Sequence, residues 1–184
     1  MQHPLKIKLT SCEFFDGRNN SFITYPEIDL ELEHSLYSIS RWEQLYGLPY
    51  FNVKPKTTEE ILSYIACMST GNILDVTTIS RLGREHIELI QKYMDAPMTG
   101  TTFVEDVMEP TKKKQIITNE LLYAQMFELR IDLSCEHWHF NRLSTLLRVC
   151  QSRLAPPKKL SKKQIAAKQH AENKRRQAMY NTRG

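Results

Sequence analysis

The sequence is poor in glycine, and its four cysteines form no paired motif. Six glycines in 184 residues include no phosphate-binding glycine loop and no G-x-S-x-G turn. None of the cysteines (Cys12, Cys67, Cys135 and Cys150) belongs to a C-x-x-C pair. Because the chain is also longer than the usual disulfide scaffold, reduced thiols in a cytosol are expected. These absences argue against common nucleotide-binding and hydrolase motifs and against a disulfide-stapled secreted fold.

Long apolar runs are missing as well. No run approaches the roughly 20 residues that a membrane-spanning helix needs. The N-terminal stretch MQHPLKIKLT alternates lysine with apolar residues and contains no continuous apolar segment. We therefore expect no signal peptide and no membrane partner. The 41% apolar content is typical of a folded globular chain.

Acidic residues are nearly absent from the last 28 positions. After Pro156 there are nine Lys and Arg residues and one acid, Glu172, which is a net charge of +8. Because the whole chain carries +4, residues 1–156 carry −4. The segment 157–184 is thus predicted to be a basic arm on an acidic body, and such arms are commonly interaction tails. Between Ile165 and Met179 its apolar residues are all alanines, so an isolated helix there should be marginal in water.

Residues 1–34 have the pattern of an antiparallel β element. Residues 16–20, DGRNN, have turn chemistry, and residues 21–25 are rich in strand-forming types. Residues 27–33, EIDLELE, alternate strictly, which puts Ile28, Leu30 and Leu32 on one face and acids on the other. This alternation predicts a sheet with one buried face.

Residues 35–156 are predicted to form a mainly helical body. Ser35 is a helix N-cap and Gly47 a stop, and Thr57 with Glu60 forms a capping box. Further helices are expected at 78–94, in two pieces split by Gly83, at 119–130 and at 134–152, the last capped by Ser134. A hairpin is expected at 101–118. The predicted fold class is α+β: the β element and the hairpin pack on about five helices, followed by a basic helical arm.

Three groups of residues could carry chemistry, and each has a simpler interpretation. Cys135 and His139 would lie at i and i+4 on a helix, a spacing that suits a metal, but no second ligand pair exists. Glu33-His34-Ser35 contains triad residue types, but its favoured role is a local cap. The acidic face at 27–33 lacks the glycine-kinked loop of a calcium site. We expect a protein that is not an enzyme and uses no cofactor or metal.

Five collinear stretches resemble a family of small proteins from tailed bacteriophages. The stretches are EHSLYSISRWEQLYGLPYF (33–51), TTEEILSYIACM (57–68), DAPMTGTTF (95–103), HWHFNRLSTLLRVC (137–150) and PPKKLSKKQIAAKQHAENKRR (156–176). The resemblance implies a tail assembly chaperone, which binds the helix-rich tape-measure protein and tail-tube or other virion proteins. It also implies a location in the host cytoplasm during assembly, or in the virion. It brings no catalytic residues.

The basic arm is the predicted partner-binding segment. Docking on an acidic or amphipathic protein is the favoured role, and a solubilising tail is an alternative. Nucleic-acid binding would be weak and non-specific, because Tyr180 is the only aromatic residue there. A structural virion protein is the alternative function, and self-association is left open. Four methionines (68, 94, 98 and 126) could line a client groove, although core packing is the commoner role. The predicted contact residues are Lys158, Lys159, Lys162, Lys163, Lys168, Lys174, Arg175 and Arg176.

Overall fold

The computed structural model describes residues 4–51, 54–102, 116–154 and 162–180. The side chains of residues 162–165, 167, 168 and 178 lie outside that description. The chain divides into two compact units, Met1–Cys150 and Gln151–Gly184. The α+β class predicted from the sequence is confirmed: the described residues form four strands in two small antiparallel sheets, and seven α-helices.

The four strands follow one another along a single antiparallel ribbon. Strand β1 (Leu5–Leu9) pairs with β4 (Ile28–Leu32), and β2 (Cys12–Asp16) pairs with β3 (Ser21–Tyr25). Both pairs keep the same register, and the ladder is interrupted at 10–11 and 26–27, where Pro26 lacks an N–H to donate. We call residues 12–25 the distal ribbon. Its turn is the predicted DGRNN segment.

The proximal ribbon, β1 with β4, has the expected buried and wet faces. Leu30 and Leu32 are buried as predicted, whereas Ile28 at the strand end remains partly exposed. On the wet face, Lys6 Nζ lies 2.8 Å from Glu31 Oε1, and Lys8 Nζ lies 2.7 Å from Glu27 Oε1. The acidic face is therefore paired with lysines of the neighbouring strand.

The first helices begin and end where their capping residues predict. Helix α1 (Leu36–Tyr46) is capped by Ser35, whose Oγ accepts from Ser38 N, and it ends at Gly47 in the left-handed region (φ 62°). Helix α2 (Thr58–Cys67) carries the predicted capping box of Thr57 and Glu60. The predicted split at Gly83 is also confirmed, since α3 (Val76–Ser80) and α4 (Arg84–Asp95) lie on either side of it.

The later helices depart from the prediction at one point. Helix α5 (Asn119–Glu128) lies where expected, but Ser134 does not cap a long helix. Asp132 instead caps a short 3-10 helix (Leu133–His137), and α6 (Phe140–Leu154) begins only after an extended Trp138. A backbone bridge between Ser35 and His139 holds this segment extended. Most of the predicted 101–118 hairpin (103–115) lies outside the described residues; residues 116–118 belong to no strand.

The body contains two neighbouring apolar clusters. In the first, the proximal ribbon packs on α1, α2 and α4; its largest members include Leu9, Leu32, Ile39, Trp42, Tyr64, Ile65, Met68 and Ile90. The second joins α1, α5, the 3-10 helix and α6 through Leu36, Leu122, Met126, Cys135, Leu143 and Leu147. Because burial of each large apolar side chain contributes about 1.5–3 kcal/mol, these clusters hold the ribbon and helices together.

The second unit contains helix α7 (Lys162–Tyr180), within the predicted basic arm. All of its described side chains are exposed, including Met179 and Tyr180. Over the part of the chain that the structure describes, no helix combines the length and the apolar character needed to cross a membrane.

Candidate interaction surfaces

An apolar groove of about 550 Å³ lies between α2 and the segment that leads into α3. We call it the α2–α3 groove. One wall is a stripe of α2 at helical spacing, Glu59, Leu62, Ser63 and Ala66, which share one helix face. The opposite wall and the floor are formed by Ile73, Leu74, Val76, Ile79 and Tyr46.

The groove stands open because its second wall is too short to close over it. Helix α3 has five residues, and none of them is buried. Val76 at its first position is 85% exposed, and Ile73 is also exposed. Aliphatic side chains that are exposed together form an apolar patch, which is typical of a binding surface, whereas single exposed apolar residues are common on any protein.

The walls of the groove are fixed by polar contacts behind them. Trp42 Nε1 donates to the Glu60 carbonyl at 3.1 Å and ties α1 to the start of α2. At the other end of α2, the Arg41 guanidinium donates to the carbonyls of Cys67 (3.1 Å) and Ser69 (2.7 Å). The bond to Cys67 satisfies one of the carbonyls that the C-terminal end of α2 leaves unpaired.

The second wall is held by Asp75, which caps α3. Its side chain accepts from Thr78 N at 2.7 Å, and hydrogen bonding from Thr78 lowers the pKa of the Asp75 carboxyl. Asp75 therefore stays ionised beside Val76. Glu59 lines the groove, and Asp75 lies between the lining residues Leu74 and Val76 in the sequence, so the apolar groove has acidic groups in or next to its lining.

The inner side of α2 is anchored by a buried aromatic and histidine cluster. Nδ1 of His34 is hydrogen-bonded to the hydroxyl of Tyr64, and the ring of His139 lies 5.2 Å from that of His34. Burial, followed by the neighbouring His139, lowers the pKa of His34 to about 3. Burial also lowers the pKa of His139, whose Nε2 lies 3.0 Å from the Tyr93 carbonyl. Both imidazoles are therefore neutral structural groups at physiological pH.

A second apolar surface lies on the distal ribbon. The rings of Phe15 and Phe22 pack against each other across the two strands at 5.2 Å, yet the side chains are 56% and 69% exposed. On the opposite face, Phe14 and Ile23 form another exposed cross-strand pair. Each face of this ribbon thus presents apolar side chains to solvent.

The predicted partner-binding residues fall into three groups. Lys174, Arg175 and Arg176 are exposed on α7, and Arg176 Nη2 lies 3.2 Å from Glu172 Oε1. Lys162, Lys163 and Lys168 lie in α7, but their side chains are outside the described set, and Lys158 and Lys159 lie outside the described residues altogether. Because positions 174–176 are consecutive and successive helix positions are about 100° apart, these three cations do not share one face of α7.

Core packing, the commoner role for the four methionines, is what the structure shows for two of them. Met68 and Met126 are fully buried core residues. Met94 is half-buried and Met98 is exposed, but neither lines the α2–α3 groove. The sequence signal that was missed is the apolar group of Ile73 and Leu74, just before α3, and Val76 at its first position; the five-residue helix is too short to bury them.

The helical spacing assumed for Cys135 and His139 is also wrong. Cys135 lies in the 3-10 helix, and His139 follows the extended Trp138, so the two residues do not share a helix face. Among the residues that the structure describes, no three His, Cys, Asp or Glu side chains lie close enough to hold a metal ion. The local cap role predicted for Ser35 is confirmed.

Comparison of the chain with protein-family models, with curated proteins and with solved structures finds no match.

Proposed function

We propose that this protein is a non-enzymatic tail assembly chaperone of a tailed bacteriophage, which binds the tape-measure protein and tail-tube proteins during morphogenesis in the host cytoplasm. The observation that carries the proposal is the open α2–α3 groove. Its volume of about 550 Å³ lies within the usual range of binding clefts. The resemblance of the five collinear stretches supplies the class of client.

The groove suits an amphipathic helix. Its walls are aliphatic, and such helices bind apolar grooves through anchors at i, i+3, i+4 and i+7. Glu59 in the groove lining, with Asp75 next to Val76, favours a client helix whose apolar face is flanked by basic residues. A long, helix-rich client would aggregate through such apolar faces if they were left uncovered.

The basic arm supplies a separate, electrostatic contact. Lys174 and Arg175 are exposed, and no ion pair is formed by either within the described part of α7. Cations on an exposed helix accelerate association with acidic segments and give an interaction that weakens with salt. The arm would therefore speed capture of the client, and the groove would retain it.

Co-expression with the tape-measure protein tests the proposal. The full-length protein should raise the soluble yield of the client, and deletion of residues 157–184 should reduce that gain. Val76→Glu should abolish it, because it would put a carboxylate into an apolar groove that already contains Glu59. Asn72→Glu adds the same charge four positions earlier, outside the groove lining, and should have no effect. An unchanged client yield with the wild-type protein rejects the proposal.

A structural virion protein is the second candidate, and the exposed α7 favours it because such a helix can lie between neighbouring subunits. Mass spectrometry of purified particles separates the two functions. A stoichiometric amount of the protein in the particle supports the structural role, and its absence supports the chaperone. A third role, nucleic-acid binding through the arm, requires an affinity that falls steeply with salt.

A further inference from the structure

The distal ribbon carries apolar side chains on both faces but has only two strands. Over the described residues, β2 and β3 hydrogen-bond in a ladder only with each other. Phe15 and Phe22 cover one face, and Phe14 and Ile23 the other, all of them exposed. A two-stranded ribbon is marginally stable by itself, and further strands or a covered face are what stabilise it.

The two edges of this ribbon differ in charge. Strand β2 carries Glu13 and Asp16, and Asp16 is held at the turn by hydrogen bonds from Arg18 N (2.9 Å) and Asn19 Nδ2 (2.8 Å). Strand β3, SFITY, carries no charged residue. Charged side chains on an edge strand oppose pairing with another strand, so β3 is the unprotected edge.

We propose that two copies of this chain pair through β3, antiparallel about a twofold axis at Ile23, and form a four-stranded sheet. This register places Phe22 of each copy opposite Thr24 of the other, and aromatic with β-branched pairs are favourable across strands. No like charges meet at the axis. Phe22, 69% exposed in one chain, gains a neighbour on the side away from Phe15.

The same charge asymmetry limits the assembly to two copies. In the four-stranded sheet both outer edges are β2, and each presents Glu13 and Asp16 to any incoming strand. The twofold contact is isologous and therefore closed. Because one five-residue edge is smaller than a standard interface of about 800 Å² per partner, the dimer should dissociate on dilution.

This inference goes beyond the proposed function and does not depend on it. The α2–α3 groove is formed by other elements, so loss of client binding and loss of the dimer are separable. A client strand on the β3 edge is the competing occupant, and the experiment distinguishes it from a second copy.

Sedimentation velocity of the full-length protein over a concentration series is the primary test. The wild-type protein should shift from monomer to dimer as concentration rises. Ile23→Lys puts two ammonium groups opposite each other at the axis and should raise the dimer Kd about tenfold or more. Leu89→Lys is the matched control, since Leu89 on α4 is 44% exposed, close to the 42% of Ile23. Circular dichroism should show both variants folded.

Disulfide trapping tests the register directly. Ile23→Cys should give a covalent dimer on mild oxidation, because residues at the axis face their own copies at disulfide distance. Phe15→Cys places the thiols on the two outer strands and should crosslink no more than the wild-type protein. Three results would each overturn the proposal. The wild-type protein could stay monomeric, the dimer could be unaffected by Ile23→Lys, or the Ile23→Lys variant could lose only client binding.

Discussion

The carboxylate of Glu43 accepts two hydrogen bonds from Asn119, a residue 76 positions away. Glu43 Oε2 lies 2.9 Å from the backbone N of Asn119 and 2.6 Å from its Nδ2, and Oε1 accepts from Tyr50 N at 2.7 Å. Both Glu43 and Asn119 are buried. One side chain of α1 thus holds the first turn of α5 and the loop after α1.

Glu43→Ala should therefore be among the most destabilising substitutions in the body. It leaves buried donors on Asn119 and Tyr50 without an acceptor, and each such donor costs about 1–3 kcal/mol. We expect the free energy of unfolding, measured by urea titration, to fall by about 3 kcal/mol. Glu128→Ala, an exposed acid at the end of α5, is the control and should change it little. Equal effects of the two substitutions would contradict the buried acceptor role.

The neutral state of His34 makes stability depend on pH. Its folded pKa is about 3, whereas an unfolded histidine titrates near 6.5. Between these values the unfolded chain binds a proton that the folded chain does not, so stability falls as pH falls from 6.5 toward 3. The limit is about 1.4 kcal/mol per pH unit. The lowered pKa of His139 acts in the same direction.

His34→Gln, which keeps a group able to bond the Tyr64 hydroxyl, should flatten this dependence. Urea titrations at pH 7 and pH 5 should show a smaller loss of stability in the variant than in the wild-type protein. His170→Gln on α7 removes an exposed imidazole and should leave the dependence unchanged. If His34→Gln and the wild-type protein lose the same stability, the buried imidazole is not the cause.

Gly47 ends α1 in a conformation that disfavours any other residue. Its φ is 62°, and its N–H donates to the Glu43 carbonyl at 2.8 Å. Gly47→Ala should lower the free energy of unfolding by about 1 kcal/mol, since a Cβ is strained in this region. Gly100→Ala is the matched control, because Gly100 has no positive φ and an added Cβ would meet no atom within 4 Å. A cost as large at Gly100 would point to a general glycine effect.

Arg81 joins the two strands of the ribbon where their ladder is interrupted. Its Nη2 donates to the carbonyl of Thr10 at 2.8 Å and to that of Pro26 at 2.9 Å. Arg81→Met keeps the aliphatic stem and removes both bonds. Amides of β2 and β3 should then exchange hydrogen about tenfold faster, whereas those of α2 should not change. Arg84→Met, at an exposed position of α4, should have no such effect, and unchanged exchange in Arg81→Met would exclude this role.

Local chemistry predicted the elements whose ends are set by neighbouring residues. Ser35 and the pair Thr57 and Glu60 satisfy helix N–H groups within three positions, so the helix starts could be read without knowing the fold. The alternation around Leu30 likewise assigned the buried face of β4, because a period of two requires only the strand itself.

The tertiary structure decided what depends on distant segments. The chain at Trp138 is extended because His139 is bridged to Ser35, more than 100 positions earlier, and no local pattern encodes that bridge. The burial of Met68 and Met126 and the exposure of Val76 were settled by which helices are long enough to cover their neighbours. The sequence by itself determined the N-terminal strands, the caps of α1 and α2 and the charge division of this protein. Tertiary packing determined which apolar side chains stayed exposed, because exposure depends on neighbours that only the folded chain brings together.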